Sequence, residues 1–257
     1  MIKKIFEIAR YTFIENLKHK NFIILFIFIA VVLGSGILFS MLSPAQEIRV
    51  ILDLGTVAIE MFAFLSCTFI AVRMILQEME HKTVYLILSR PVSRSHYLLG
   101  RFFGILSVIF TYVFIMTFAL ICMLLLKGWQ WDPFILGVAL SVLLKITIVA
   151  SFSILLSLIS TSSASSFISI FFLWTLGHFS EELKYINHLL KEAGVSITAL
   201  IKLFYYIIPN FSKLNYKDTF HISDIFSLQL FWIAGYAIIY SVIVLTLSII
   251  IFNKKEL

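Results

Sequence analysis

The sequence predicts an all-α integral membrane protein with six transmembrane helices, and three observations carry that expectation. Of its 257 residues, 61% are hydrophobic and only 13% charged, against about half and about a quarter in a soluble domain. Apolar runs long enough to cross about 30 Å of hydrocarbon at about 1.5 Å per residue recur along nearly the whole chain. The basic residues, which give a formal charge of +6, gather in segments that fall on one side of the membrane. A single polytopic domain, 1–257, is expected, with no room for a separate soluble enzyme and no need to read the charge as a nucleic-acid surface.

The first element, 1–20, carries Ile2, Ile5, Phe6, Ala9, Phe13 and Leu17 at helical spacing, with Lys3, Lys4, Glu7, Arg10, Glu15 and Lys18 on the other side. That pattern is an amphipathic helix lying in the interface, its apolar face in the acyl boundary and its basic face at anionic headgroups. A cleavable signal peptide is not expected, because no small-residue site follows an apolar core. Six spans follow, at 22–42, 57–76, 102–126, 134–159, 164–179 and 225–252. Lys3, Lys4, Arg10, Lys18 and Lys20 precede the first; Lys82, Arg90, Arg94 and Arg101 follow the second; Lys254 and Lys255 follow the sixth. An even count of spans puts these clusters on one side, while the connections after spans one and three hold only Arg49 and Lys127. The positive-inside rule then makes both termini cytoplasmic and the chain a multi-pass protein of the inner (cytoplasmic) membrane.

Two connections are unusual. The outer segment 180–224 contains an apolar stretch, 195–208, ended by Pro209; at about 14 residues it fits a re-entrant or interfacial helix better than a further span. The serine-rich 160–166 is a tight helical hairpin. The loop 78–100, on the cytoplasmic side, is more elaborate than a turn requires.

Catalytic motifs are missing. Neither G-x-x-x-x-G-K-[ST] nor H-E-x-x-H occurs, so the chain is not itself a P-loop ATPase or a zincin. Glu181 and Glu182 lack the downstream arginine of a Glu-Glu intramembrane protease, and Gly34, Ser35 and Gly36 suit a close helix contact better than a serine nucleophile. No catalytic residue and no metal ligand is assigned. His178 with Glu181 and Glu182 has metal-like spacing, but a solvated cap on span five explains it better. Cys67, Cys122 and the methionines Met61, Met74, Met116 and Met123 read as core packing.

Ionisable residues within spans are functional candidates, since a charge near the bilayer centre costs about 2.5–3.5 kcal/mol on insertion scales. Arg73, a turn from the cytoplasmic end of span two, can snorkel. Glu60 and Lys145 cannot do so easily: either they pair across spans two and four, against an expected depth difference of about two turns, or one faces a water-filled path. With His178 they form the candidate transport path. Clustered polar residues within the spans, which a membrane enzyme would need, are not evident from the sequence.

Within the loop, Glu78, Glu80 and Lys82 lead into Thr83, Val84, Ile87 and Leu88, which share one helical face. A short apolar stripe outside the bilayer wants a protein groove. Arg90 precedes Pro91 and is pushed away from helical angles, so the short helix stops there. Ser93 or Ser95 can cap the next helix, which leads into span three.

This loop resembles that of the permease subunits of ABC-2 type transporters, in particular the group of nitrous-oxide-reductase and multi-copper enzyme maturation permeases. The resemblance lies in Glu78, Glu80, Thr83, Ile87, Leu88, Ser89, Pro91, Val92, Ser93 and Arg94, then in Leu99, Gly100, Arg101 and Gly104. It extends to the amphipathic N-terminus, the six-span layout and the Pro-Asn segment at 205–215. It implies a permease homodimer carried by two copies of a separate ATPase subunit, which binds ATP and Mg; this chain binds no cofactor. Glu78, Glu80, Lys82, Thr83, Val84, Ile87, Leu88, Arg90, Pro91 and Arg94 become the ATPase-coupling residues of a coupling helix, with Glu78 and Glu80 contacting the ATPase or holding the loop against Arg73, Lys82 or Arg94. The resemblance implies an exporter. Two alternatives stand beside it: a membrane scaffold that matures an extracytoplasmic enzyme partner, and a polytopic enzyme acting on lipid or peptide.

Overall fold

The computed structural model describes residues 2–18, 47–80, 93–180, 208–215 and 228–255, with scattered positions between 25 and 38. Its helices are α1 (Ile2–Lys18), α2 (Glu47–Glu80), α3 (Arg94–Leu126), α4 (Phe134–Ile159), α5 (Ser163–His178) and α6 (Leu228–Lys254), with a 3₁₀ turn at Ser212–Leu214. Among the described residues there is no strand. Among the described residues four helices, α2, α3, α4 and α6, are long and apolar enough to cross a membrane, where the sequence led us to expect six spans; the protein is multi-pass. At 16 residues α5 is shorter, and the first expected span and the 195–208 stretch lie largely outside the described residues.

Local chemistry fixes the helix ends. Ser93 is the N-cap of α3, accepting from the His96 amide at 3.4 Å, and Ser162 caps α5, accepting from the Ser165 amide at 3.2 Å. After α3 the chain reverses through Gly128, whose φ of 81° is open to glycine without strain. Pro133 precedes α4, where a missing N–H leaves no hydrogen bond unmade.

Helix α2 corrects an expected boundary. It starts at Glu47, about ten residues before the span expected at 57. Arg49 and Asp53 broke the apolar run, but a helix of 34 residues, about 51 Å long, carries such charges beyond the hydrocarbon. Its first turn is held by an ion pair from Lys127 Nζ to Glu47 Oε1 at 2.6 Å.

Helix α4 is central, packing on α2, α3, α5 and α6. Its buried Ser141, Ser151 and Ser157 donate to carbonyls of their own helix at 2.6–2.7 Å, so these small side chains are satisfied without a partner helix. Helix α1 lies against the start of α3. A Cβ added at Gly104 would sit 2.5 Å from Thr12 Cβ, and one at Gly100 2.7 Å from Ile8 Cβ; only glycine admits so close a crossing. The face of α1 buried here contains Thr12, while Phe6, expected on the stripe that enters the acyl boundary, is 66% exposed on the protein surface.

One end of the bundle is knit together by backbone capping. Arg94 Nη1 donates to the carbonyls of Phe252, Asn253 and Lys255 at 2.8–3.2 Å, and Lys255 Nζ donates to the Leu158 carbonyl at 2.8 Å. Cations at helix C-termini satisfy orphan carbonyls and complement the helix dipole. The start of α3 and the ends of α4 and α6 therefore meet at the end where α1 lies.

Candidate functional site

Two polar centres stand out, one at the α1 end and one inside the bundle. The first is built on Arg101, which the sequence offered only as a topological charge and a motif position. Its side chain is 2% exposed. Arg101 donates to Thr12 Oγ1 at 2.8 Å, approaches Glu15 Oε2 at 3.5 Å and forms an ion pair with Glu78. The guanidinium also lies 5.6 Å from the Tyr97 ring centroid and 5.8 Å from that of Tyr11, within cation–π range. Thr12 in turn donates to the Ile8 carbonyl at 2.9 Å, so one hydroxyl serves both helices. Arg101 thus joins α1, the last turns of α2 and the start of α3.

Glu78 and Glu80 belong to the last turn of α2, and Glu78 forms an ion pair with Arg101. Arg94 serves the α6 terminus. Arg73 is exposed, its Nε donating to Gln77 Oε1 at 3.3 Å. Lys82, Thr83, Val84, Ile87, Leu88, Arg90 and Pro91 lie outside the described residues. The signal that could have found Arg101 was its flanks: glycines on both sides at 100 and 104 mark a crossing, and Thr12 and Glu15 present polar atoms one turn apart.

The second centre joins Glu60 of α2, Lys145 of α4, His178 at the end of α5 and Asn215. Lys145 Nζ donates to Glu60 Oε1 at 2.7 Å and to Asn215 Oδ1 at 2.6 Å. His178 Nε2 lies 3.0 Å from the same Glu60 oxygen, and its Nδ1 3.1 Å from the Trp174 carbonyl. Trp174 and Phe211 pack on the imidazole with ring centroids 4.3 and 5.4 Å away. The sequence offered Glu60 and Lys145 as a pair or as separate features; the structure pairs them.

Their expected mismatch in depth disappears with the new start of α2. Glu60 sits about thirteen residues into α2 and Lys145 about eleven into α4, and the 2.7 Å contact between them puts the two at one level. The expectation that the spans hold no clustered polar residues is therefore overturned, and so is the reading of His178 as a solvated cap: its side chain is 24% exposed and engaged with Glu60.

The described part of the segment before α6, 208–215, is docked onto this centre. The Phe211 amide donates to the Gly177 carbonyl, and Ser212 Oγ to the His178 carbonyl, both at 2.9 Å. Phe211 and Leu214 are fully buried. A Cβ at Gly177 would come within 2.5 Å of the Phe211 ring, so the glycine makes room for the segment. Chemically, the centre is a closed knot of one carboxylate, one ammonium, an imidazole and an amide. Any motion separating α2 from α4 at this level must break it.

No curated protein matches the chain. The family profile described as "ABC-2 family transporter protein" matches residues 6–257, nearly the whole chain, without singling out the maturation-permease group. That span contains both polar centres, the α2–α3 connection and the apolar helices, and the chain belongs to the ABC-2 family of transporter membrane proteins.

Proposed function

We propose that the chain is the permease subunit of an ATP-driven exporter, acting as a homodimer with two copies of a separate ATPase that binds ATP and Mg. The observation that carries this reading is the Arg101 centre, in a chain matched to the transporter family over 6–257. It binds the end of α2, the start of α3 and α1 at the mouth of the loop whose motif resembles a coupling helix. A push on 81–92 then enters two long helices that are already cross-tied, and reaches the Glu60–Lys145 knot along α2. With Lys3, Lys4 and Arg10 exposed on α1 and Lys254 at the end of α6, this end is the cytoplasmic one, both termini with it.

In this mechanism Ile87 and Leu88 fill a groove on the ATPase, and Glu78 holds its helix against Arg101 while the load arrives. Replacing Ile87 and Leu88 with Glu is expected to abolish co-purification of the ATPase or to uncouple its hydrolysis from transport. The measurement is ATPase recovery and substrate-stimulated hydrolysis in membranes carrying both subunits. Unchanged recovery with fully coupled hydrolysis would overturn the reading.

A further inference from the structure

A cavity of about 420 Å³ opens between the end of α1 and one face of α2, a volume in the range of about 300–1,000 Å³ typical of ligand sites. Its walls change character along α2. Phe62, Leu65 and Phe69, with Ser66 and Tyr112 among them, line one part, while Arg73, Gln77 and Glu78 line the other together with Glu15 and Asn16 of α1. From Phe62 to Arg73 is about 16 Å of helix, one half of a hydrocarbon core of about 30 Å. The cavity thus has the length of one leaflet, apolar below and polar at the interface, and α1 forms its edge at headgroup level.

The charges at the mouth select a headgroup. Glu78 is turned to Arg101, whereas Glu15 meets Arg101 only at 3.5 Å and stays 43% exposed. Among the described residues Arg73 has no carboxylate within ion-pair distance, and the residue is exposed, its Nε donating to Gln77 Oε1. The outward groups are therefore one cation, Arg73, and one anion, Glu15. Such a mouth complements a zwitterion in which phosphate and primary ammonium are adjacent.

We propose that this cavity seats one phospholipid with a phosphoethanolamine headgroup, its phosphate on Arg73, its ammonium on Glu15 and an acyl chain along Leu65 and Phe69. The lipid is a resident of the fold, independent of what the transporter carries and of which ATPase drives it, so its test stands apart from the coupling test above. A trimethylated ammonium has no N–H to donate to Glu15, and a glycerol headgroup has no cation.

The test is native mass spectrometry of the delipidated full-length protein, offered phosphatidylethanolamine, phosphatidylcholine and phosphatidylglycerol at equal concentrations. Wild type is expected to hold phosphatidylethanolamine about tenfold more tightly than either competitor, the difference of one charge-assisted hydrogen bond. Glu15→Gln should remove that preference while leaving phosphatidylglycerol binding unchanged. Arg73→Gln should weaken all three lipids, and Leu65→Trp, which fills the apolar half, should do the same without touching the headgroup. Equal binding of the three lipids by wild type, a preference for phosphatidylglycerol, or variants that bind as wild type does would each overturn the proposal. Where a variant yields no monodisperse protein, the ranking of headgroups on wild type decides alone.

Discussion

The two polar centres are opposites in charge balance. Arg101 is one cation facing two carboxylates, Glu15 and Glu78, beneath a half-exposed helix; Lys145 is one cation that shares the Glu60 carboxylate with His178 and also donates to Asn215 inside the bundle. Removing Arg101 leaves two acids, one of which can turn toward water. Removing Lys145 leaves Glu60 deep among apolar helices with only an imidazole beside it. The lesson is that burial of the partner left behind, more than the number of contacts, sets what each centre contributes to stability, whereas in the coupling mechanism we propose, position relative to 81–92 sets what each contributes to work.

The largest expected effect follows from that difference. Lys145→Met should destabilise the protein by about 3–5 kcal/mol, the range for orphaning one member of a buried ion pair. Chemical unfolding in detergent measures it, and the double variant Glu60→Leu with Lys145→Met should recover most of the loss, since a well-packed apolar pair can replace a buried ionic one. A double variant as unstable as the single would break the comparison. Arg101→Lys comes next: it keeps the charge but loses the planar fork that reaches Thr12 and Glu78 together. It should cost about 1–3 kcal/mol and lower transport-coupled ATP hydrolysis more than Lys145 variants of equal stability. Smallest and sharpest is a pair of glycine variants. Gly104→Ala drives a methyl into Thr12 and should lose about 1–3 kcal/mol by overpacking. Gly34→Ala, with nothing within 4 Å of the new Cβ, should be neutral or gain up to about 1 kcal/mol in helix propensity.

Some of this was legible in the residues. Helix α4 runs over 134–159, where the fourth span was expected, because Pro133 and the serine run after 159 punctuate an unbroken apolar stretch. Ser93 was one of two expected caps and is the one that accepts from the backbone. The start of α2 was hidden because hydropathy marks where a helix meets lipid, whereas backbone hydrogen bonding continues through Glu47 and Asp53 into the headgroup zone. The same error put Glu60 at the wrong depth and hid its match with Lys145. Arg101 was missed for a different reason. A count of basic residues treats each as facing water or headgroups, and nothing in a one-dimensional pattern distinguishes an arginine under a helix from one beside it. His178 and Asn215 are about 37 positions apart, and only the docking of Phe211 at Gly177 brings them to the two ends of the Glu60–Lys145 pair.

The basic end of the bundle has a consequence for how the protein is made. Arg94, Arg101 and Lys255 all count toward the charge bias that orients a nascent chain, yet in the folded protein they serve helix carbonyls and carboxylates. By the positive-inside rule they would serve as address labels during insertion; after folding they are rivets at helix ends and on a carboxylate. Neutral replacement of Arg101 therefore strikes twice, at biogenesis and at the finished joint. Lysine at that position keeps the label and loosens the rivet, which makes it the variant able to separate a fault of assembly from a fault of mechanics.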